Sequence, residues 1–326
     1  MLRAMLIGGL FAALAAAAGA AAPDEFVVQG LYEGTCKGPS GEKKLEARVV
    51  ALGKAAYKVY VREVTDKGTT ALAEMDGKTA GDAVTFAGKA GEVEWSTSYA
   101  DGALKGACGK GGVLELKKVV KTPPTLGAKP PAGAIVLLSD GKDMSAFALK
   151  AGKDGKAAEV KLTDDGGVVV PKGGLTTKQK FHGSFDLHVE FKNPFMPTAR
   201  GQGRGNSGVY LPTGDEIQVL DSFGMDTYKG GGCGGLYKYK DPDAFDKFSL
   251  ASLPPGQWQT YDVQFRIEKK DGKPTGKARV TVLHNGIKIH DNAELSRAAK
   301  GGGFYFQDHG NPVQYRNIWV LPVKDE

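Results

Sequence analysis

Phe185-Asp186-Leu187-His188-Val189-Glu190-Phe191 alternates strictly between apolar and polar side chains. Successive Cβ atoms of an extended strand point to opposite faces. This stretch therefore sets Phe185, Leu187, Val189 and Phe191 against Asp186, His188 and Glu190. The same period recurs in Ser207-Gly208-Val209-Tyr210-Leu211 and in Glu216-Ile217-Gln218-Val219. Tyr261 to Ile267, Ala278 to Leu283 ahead of the tight turn His284-Asn285-Gly286, and Tyr315 to Val320 continue the series. Strand after strand over residues 134–326, with little helical periodicity, predicts an all-β two-sheet sandwich or jelly roll.

If these strands adjoin, Asp186, His188, Glu190, Glu216 and Gln218 project from one sheet face while the apolar set fills the core. Asn206 leads into a neighbouring strand, and Asp221 stands at the end of the strand that carries Glu216. The competing reading of such a polar row is a solvated outer face. A second cluster tips the balance: Phe304-Tyr305-Phe306-Gln307-Asp308-His309-Gly310-Asn311-Pro312 ends a strand in a turn with a carboxylate, an imidazole and two amides. A histidine in such a turn suits proton transfer. Asp308 could orient that ring or accept amides of the turn.

Working toward the N-terminus, residues 121–133 form a proline-rich stretch expected to be a stiff, extended linker. Before it, residues 23–120 read as a small antiparallel β domain. Short β-type runs at Val27-Val28, Leu45 to Leu52, Tyr57 to Val64, Ala83 to Phe86, Val93 to Trp95 and Val113 to Leu116 are separated by Asp66-Lys67-Gly68, Asp76-Gly77 and Asp101-Gly102. This segment has no histidine and only scattered carboxylates, so it reads as an accessory domain. Cys36 and Cys108, each flanked by glycine near its two ends, are expected to pair, leaving Cys233 free within a glycine-rich run.

Residues 1–22 have the layout of a cleavable export signal: Arg3, an apolar run from Ala4 to Ala18, and small residues that place the cut after Ala20 or Ala22. The run is short for a membrane anchor, which needs about 20 apolar residues. The expected location is therefore periplasmic or extracellular, with no membrane span after cleavage. The chain has 43 Lys and Arg against 37 Asp and Glu, a formal charge of +6, and the lysines are spread singly. Without a basic stripe interleaved with aromatics, nucleic acid is not an expected partner.

The run from Arg200 through Gly205-Asn206-Ser207-Gly208 to Leu211, then Glu216 to Ser222, Pro255-Gly256-Gln257-Trp258-Gln259-Thr260-Tyr261 and Phe306 to Trp319 together resemble the 3-keto-disaccharide hydrolase family. Leu138 to Met144 and Gly174 to Phe181 are similar to its opening, so the resemblance covers nearly all of 134–326. It implies a concanavalin A-like jelly roll with a sugar site on the concave sheet face. Gly232-Cys233-Gly234-Gly235-Leu236-Tyr237 and Phe304-Tyr305-Phe306 depart from the commonest family pattern, which leaves the substrate open.

The implied activity acts on sugars already oxidised at C3. The ketone acidifies the C2 proton; a base removes it, the C1 oxygen is expelled, and water adds to the enone. The substrate would be an oligosaccharide or glycoside supplied by a sugar 3-oxidising dehydrogenase. The expected roles are His309 or Glu216 as base and Asp221 as supporting acid. Asn206, Gln218, Gln307, Asp308, Arg316 and Glu190 are the substrate-binding candidates, and Arg316 has an equal claim to a structural ion pair. No cofactor is evident. A divalent metal is possible, with Glu190, His188 and Glu216 as the nearest approach to a ligand set. Two rival readings are a non-catalytic, lectin-like binding module and an ordinary two-carboxylate glycosidase built on Glu216 and Asp221.

Overall fold

In a computed structural model of the protein, the described residues are 23–150, 158–225, 227–243, 251–271 and 273–323. The expected export signal at 1–22 lies outside them. A single-turn helix, α1 (Glu25–Val28), opens the described chain. Asp24 caps it by accepting from the Phe26 amide, so the expected strand at Val27-Val28 is helical instead.

Eight antiparallel strands follow: β1 (Gly30–Gly38), β2 (Gly41–Gly53), β3 (Ala56–Thr65), β4 (Gly68–Ala80), β5 (Ala83–Ala90), β6 (Val93–Ala100), β7 (Ala103–Cys108) and β8 (Val113–Val119). They run in sequence order and close into a barrel through the β1–β8 pairing, which leaves the sheet no free edge. Two-residue turns such as Lys54-Ala55 and Asp101-Gly102, each with both residues at positive φ, reverse the chain. Asp76-Gly77, expected as a turn, lies inside β4. There the missing side chain makes room for a ring, because a Cβ on Gly77 would come within 2.2 Å of Phe86 Cδ1. Tyr32, Val49, Tyr57, Met75, Phe86 and Trp95 fill the interior. Cys36 and Cys108 form a disulfide that ties β1 to the end of β7.

The rest of the chain is a jelly-roll sandwich. Its strands are β9 (Ile135–Leu138), β10 (Phe147–Leu149), β11 (Lys161–Leu162), β12 (Val168–Val169), β13 (Leu175–Thr177), β14 (Phe185–Lys192), β15 (Ser207–Tyr210), β16 (Glu216–Val219), β17 (Trp258–Lys270), β18 (Lys273–His284), β19 (Ile287–Glu294), β20 (Tyr305–Phe306) and β21 (Gln314–Pro322). One sheet has the order β10-β13-β20-β15-β16. The other runs β11-β12-β21-β14-β17-β18-β19, with β9 alongside β21.

β14 sits centrally in the larger sheet, between β17 and β21. Phe185, Leu187, Val189 and Phe191 all enter the core, and Phe185 stacks on Phe265 with centroids 4.6 Å apart. Each such side chain contributes about 1.5–3 kcal/mol on burial. On the smaller sheet Val209, Ile217, Val219 and Phe306 close the same core.

The stretch 121–133 is not an extended spacer. Its backbone turns at 124–127, with Leu126 N bonded to Pro123 O and Ala128 N to Thr125 O, and it lies against the outer face of the larger sheet. Thr125 Oγ1 donates to Asp262 at 2.6 Å, Gly127 N to Glu190 at 2.5 Å, and Asn317 donates to Ala128 O. Proline content sets the stiffness of a free chain; here Glu190 and Asp262, which also bond Arg316 and His188 on the sheet, accept from the segment as well. His188 and Glu190 are consequently buried. The barrel packs on the sandwich through Leu31, Val50, Phe223 and Leu253, through the Phe26–Phe195 ring contact, and through an Arg200 bond to Leu52 O.

Candidate active site

The strand alternation that fills the core also builds a polar face on the smaller sheet. In register, Tyr210 pairs with Glu216, Gly208 with Gln218, and Tyr210 with Tyr305. The Glu216 side chain leans diagonally over Gly208, where a Cβ would stand 2.1 Å from Oε1. The turn Tyr237-Lys238-Tyr239 covers the free edge of β16, with Tyr237 N bonded to Glu216 O. Lys238 adopts a left-handed φ of 58° there. Together with Gly214, Asp215, Ser296 and Arg297 these residues enclose a pocket of about 310 Å³, sized for a small sugar.

Burial pushes the Glu216 carboxyl up to about 7, against an opposing hydrogen bond with Tyr210. At neutral pH the group is then divided between acid and carboxylate, the condition a general base or acid needs. Asp215, its neighbour, is fully engaged. It accepts from Ser296 N and Oγ, from Arg297 N and from Thr213 Oγ1.

Beside the pocket lies an amide network centred on Gln202. Gln202 Nε2 donates to Gly231 O at 2.9 Å, so its Oε1 must face Asn206 Nδ2 at 3.0 Å and Gln218 Nε2 at 2.9 Å. Asn206 Nδ2 also donates to Gln202 O. These bonds fix both amides, and they turn Asn206 Oδ1 and Gln218 Oε1 into buried acceptors with no hydrogen-bond partner among the described residues. Gln307 Oε1 is in the same condition, while its Nε2 donates to Tyr210 at 3.3 Å. Buried acceptors of this kind call for donors, and hydroxyl groups supply them.

The sequence candidates divide between two faces. Glu216, Gln218, Asn206 and Gln307 gather on the smaller sheet. Glu190 and Arg316 lie on the outer face of the larger sheet, because β14 and β16 belong to different sheets and do not adjoin. There Arg316 Nε bonds Glu190 at 2.7 Å and stacks over Trp258, while His188 Nδ1 bonds Asp262 at 2.6 Å. Burial alone would raise Glu190, but bonds from His188, Asn317, Arg316 and Gly127 N outweigh it and hold the carboxyl at about 2. The suggested ligand set of Glu190, His188 and Glu216 is therefore split across the sandwich. No group of three or more His, Cys, Asp or Glu among the described residues could hold a metal.

Asp221 is spoken for. It bonds Arg204 Nε at 2.7 Å and accepts from Phe223 N, with both charged side chains enclosed. Arg204 in turn reaches Met196 O, so this pair braces the loop ahead of β15. Asp308 accepts from Gly173 N and Gly310 N, the turn-building alternative, and does not orient His309. His309 is exposed at the tip of that turn. Its turn lies beside β15, since Gln307 N bonds Gly208 O and Asn311 Oδ1 accepts from Asn206 N.

Tyr210, Gln202, Tyr237, Lys238 and Arg297 complete the site and were not singled out from the sequence. Tyr210 was findable, two residues from Gly208 on an alternating strand. Arg297 arrives from a distant loop with no local signal.

The fold defines a two-sheet β-sandwich of the jelly-roll kind. The sequence profile of the 3-keto-alpha-glucoside-1,2-lyase-like domain matches residues 133–321, more than half of the chain, and the chain belongs to that family. It is also similar to a solved structure from Parabacteroides distasonis ATCC 8503 described provisionally as a glycosyl hydrolase. That similarity is 34% identity over 59% of this chain and 85% of the other, with a TM-score of 0.49. None of the curated proteins matches.

Proposed function

We propose that the protein is an exported enzyme that cleaves 3-keto-glycosides by proton abstraction at C2, elimination at C1 and hydration. The observation that carries this reading is the Glu216 carboxyl, poised near neutrality in a tyrosine-lined pocket. As carboxylate it takes the C2 proton. The C2–H electrons form the enolate with the C3 oxygen, and their return expels the C1 substituent, which leaves with a proton. Water then adds to the enone at C1, and a proton returns to C2. Tyr210, bonded to Glu216, is placed to pass protons, and His309, exposed on the turn beside β15, is the candidate second acid. Asn206, Gln218 and Gln307 stand behind the pocket wall, where Gln307 bonds Tyr210, and are the candidates for steadying that wall against the sugar.

An ordinary glycosidase uses two carboxyl groups about 5–5.5 Å or about 6.5–9.5 Å apart. The second carboxylate lining the pocket, Asp215, is consumed by the Ser296–Arg297 backbone, which favours elimination chemistry. Export is supported by the Cys36–Cys108 disulfide, which persists in oxidising compartments. No helix among the described residues is long and apolar enough to cross a membrane.

The test incubates the purified protein with a 3-keto-disaccharide and with its unoxidised parent. Sugar release from the keto form alone, with transient enone absorbance, is expected. Release from the parent, or no release from either, overturns the reading.

A further inference from the structure

Two cations on the wall of the Glu216 pocket have no ion pair of their own among the described residues, although the carboxylates of Asp215 and Glu216 line it too. Arg297 and Lys238 both line it. The Arg297 guanidinium lies over Gly214, where a Cβ would be 3.0 Å from Nη1, and Asp215 binds its backbone amide rather than its side chain. The Lys238 ammonium sits 5.3 Å from the centre of the Tyr237 ring, which itself lines the pocket. Neither cation has a carboxylate partner among the described residues.

Two cations without carboxylate partners on one pocket wall suit a ligand that itself bears a carboxylate.

We propose that this pocket takes glycosides carrying a carboxylate, held by Lys238 and Arg297. The proposal rests on the catalytic reading for what happens to the bound glycoside, but the anion site can be tested separately. The carboxylate could belong to the aglycone or to C6 of the sugar, and the ligands chosen separate the two.

The experiment measures calorimetric binding of three unoxidised ligands to the full chain: the neutral glucoside of 4-hydroxybenzyl alcohol, the glucoside of 4-hydroxybenzoate, and the glucuronide of 4-hydroxybenzyl alcohol. At least one carboxylate ligand is expected to bind about tenfold tighter than the neutral one at low salt. High salt and the double variant Lys238→Gln/Arg297→Gln should each erase that preference. Equal binding of all three, failure of both carboxylates to bind, or a preference surviving in the double variant overturns the proposal. Thermal melting of the variant checks its fold. The 3-keto forms of the same ligands separate this idea from the catalytic one. A carboxylate preference in binding without turnover of any keto form keeps the anion site and removes the enzyme reading. Equal kcat/KM on neutral and charged keto forms does the reverse.

Discussion

The carboxylate of Glu216 rests on the bare Cα of Gly208: a methyl group there would stand 2.1 Å from Oε1. Gly208 has an ordinary strand conformation, so backbone strain is not the reason for glycine at this position. Gly208→Ala should fold normally and displace the carboxylate. A misplaced base of this kind is expected to lower kcat/KM by about 10²-fold, read in the keto-disaccharide assay beside an unchanged circular dichroism spectrum.

Glu216 itself links activity to stability. Its pKa rises from an ordinary 4.5 unfolded to about 7 folded. Folding is therefore unpenalised below pH 4.5, loses stability as pH climbs from there to 7, and carries the full cost above. Glu216→Gln should abolish most turnover, by about 10²–10⁴-fold. It should also stabilise the protein at pH 8 by up to about 3 kcal/mol and leave stability at pH 4 nearly unchanged. Urea titrations at the two pH values read this. In the wild type, kcat/KM should rise through pH 7 and then level.

The cluster beneath residues 125–128 has the opposite charge logic. Glu190 falls from 4.5 to about 2 on folding, so its contribution is present above pH 4.5 and disappears as pH drops through 2. For His188 burial works against protonation, yet bonds to Asp262 and Glu190 win and raise its pKa. Its contribution is full below 6.5 and is lost as pH rises through the elevated folded value. Hydrogen-exchange protection of Gly127 and Ala128 should thus be greatest between pH 4.5 and 6.5.

Glu190→Gln tests the same cluster at constant pH. Arg316 keeps some contact with water, so the cost should fall at the lower end of the range for broken buried pairs, about 3 kcal/mol. Flat protection across pH, together with an unaffected variant, would contradict this account of how 121–133 is held.

Cys36–Cys108 closes a loop of 72 residues within the barrel. Cys36→Ser with Cys108→Ser should cost about 3–5 kcal/mol in the chain-entropy picture. The loss should appear in the barrel transition, with the melting of the sandwich core changed less.

What the chain discloses to a reader follows from the range of each interaction. Alternation at 185–191 and 216–219 reports a strand and its buried face, because that signal needs no knowledge of the partner strand. Which strands adjoin is a long-range property: β14 and β16 have nearly the same pattern and lie in opposite sheets. Hence Glu216, Gln218, Asn206 and Gln307 gather on the smaller sheet, whereas the period that puts Glu190 on a polar face cannot show that this face belongs to the other sheet. The engagement of Asp221 is hidden for a related reason, since its partner Arg204 lies 17 residues upstream in a loop. The linker's docking depended on acceptors in β14 and β17 that its own composition does not reveal.

That docking has an evolutionary corollary. Residues 125–128 shield the outer face of a sheet to which the barrel contributes no strand. A gene fusion that exchanged the barrel for another module at residue 133 would leave Glu190 and Asp262 stripped of their backbone and hydroxyl donors. A junction near residue 120 would carry the cover along. The unit that can be inherited and recombined intact therefore begins a dozen or so residues before the first strand of the sandwich.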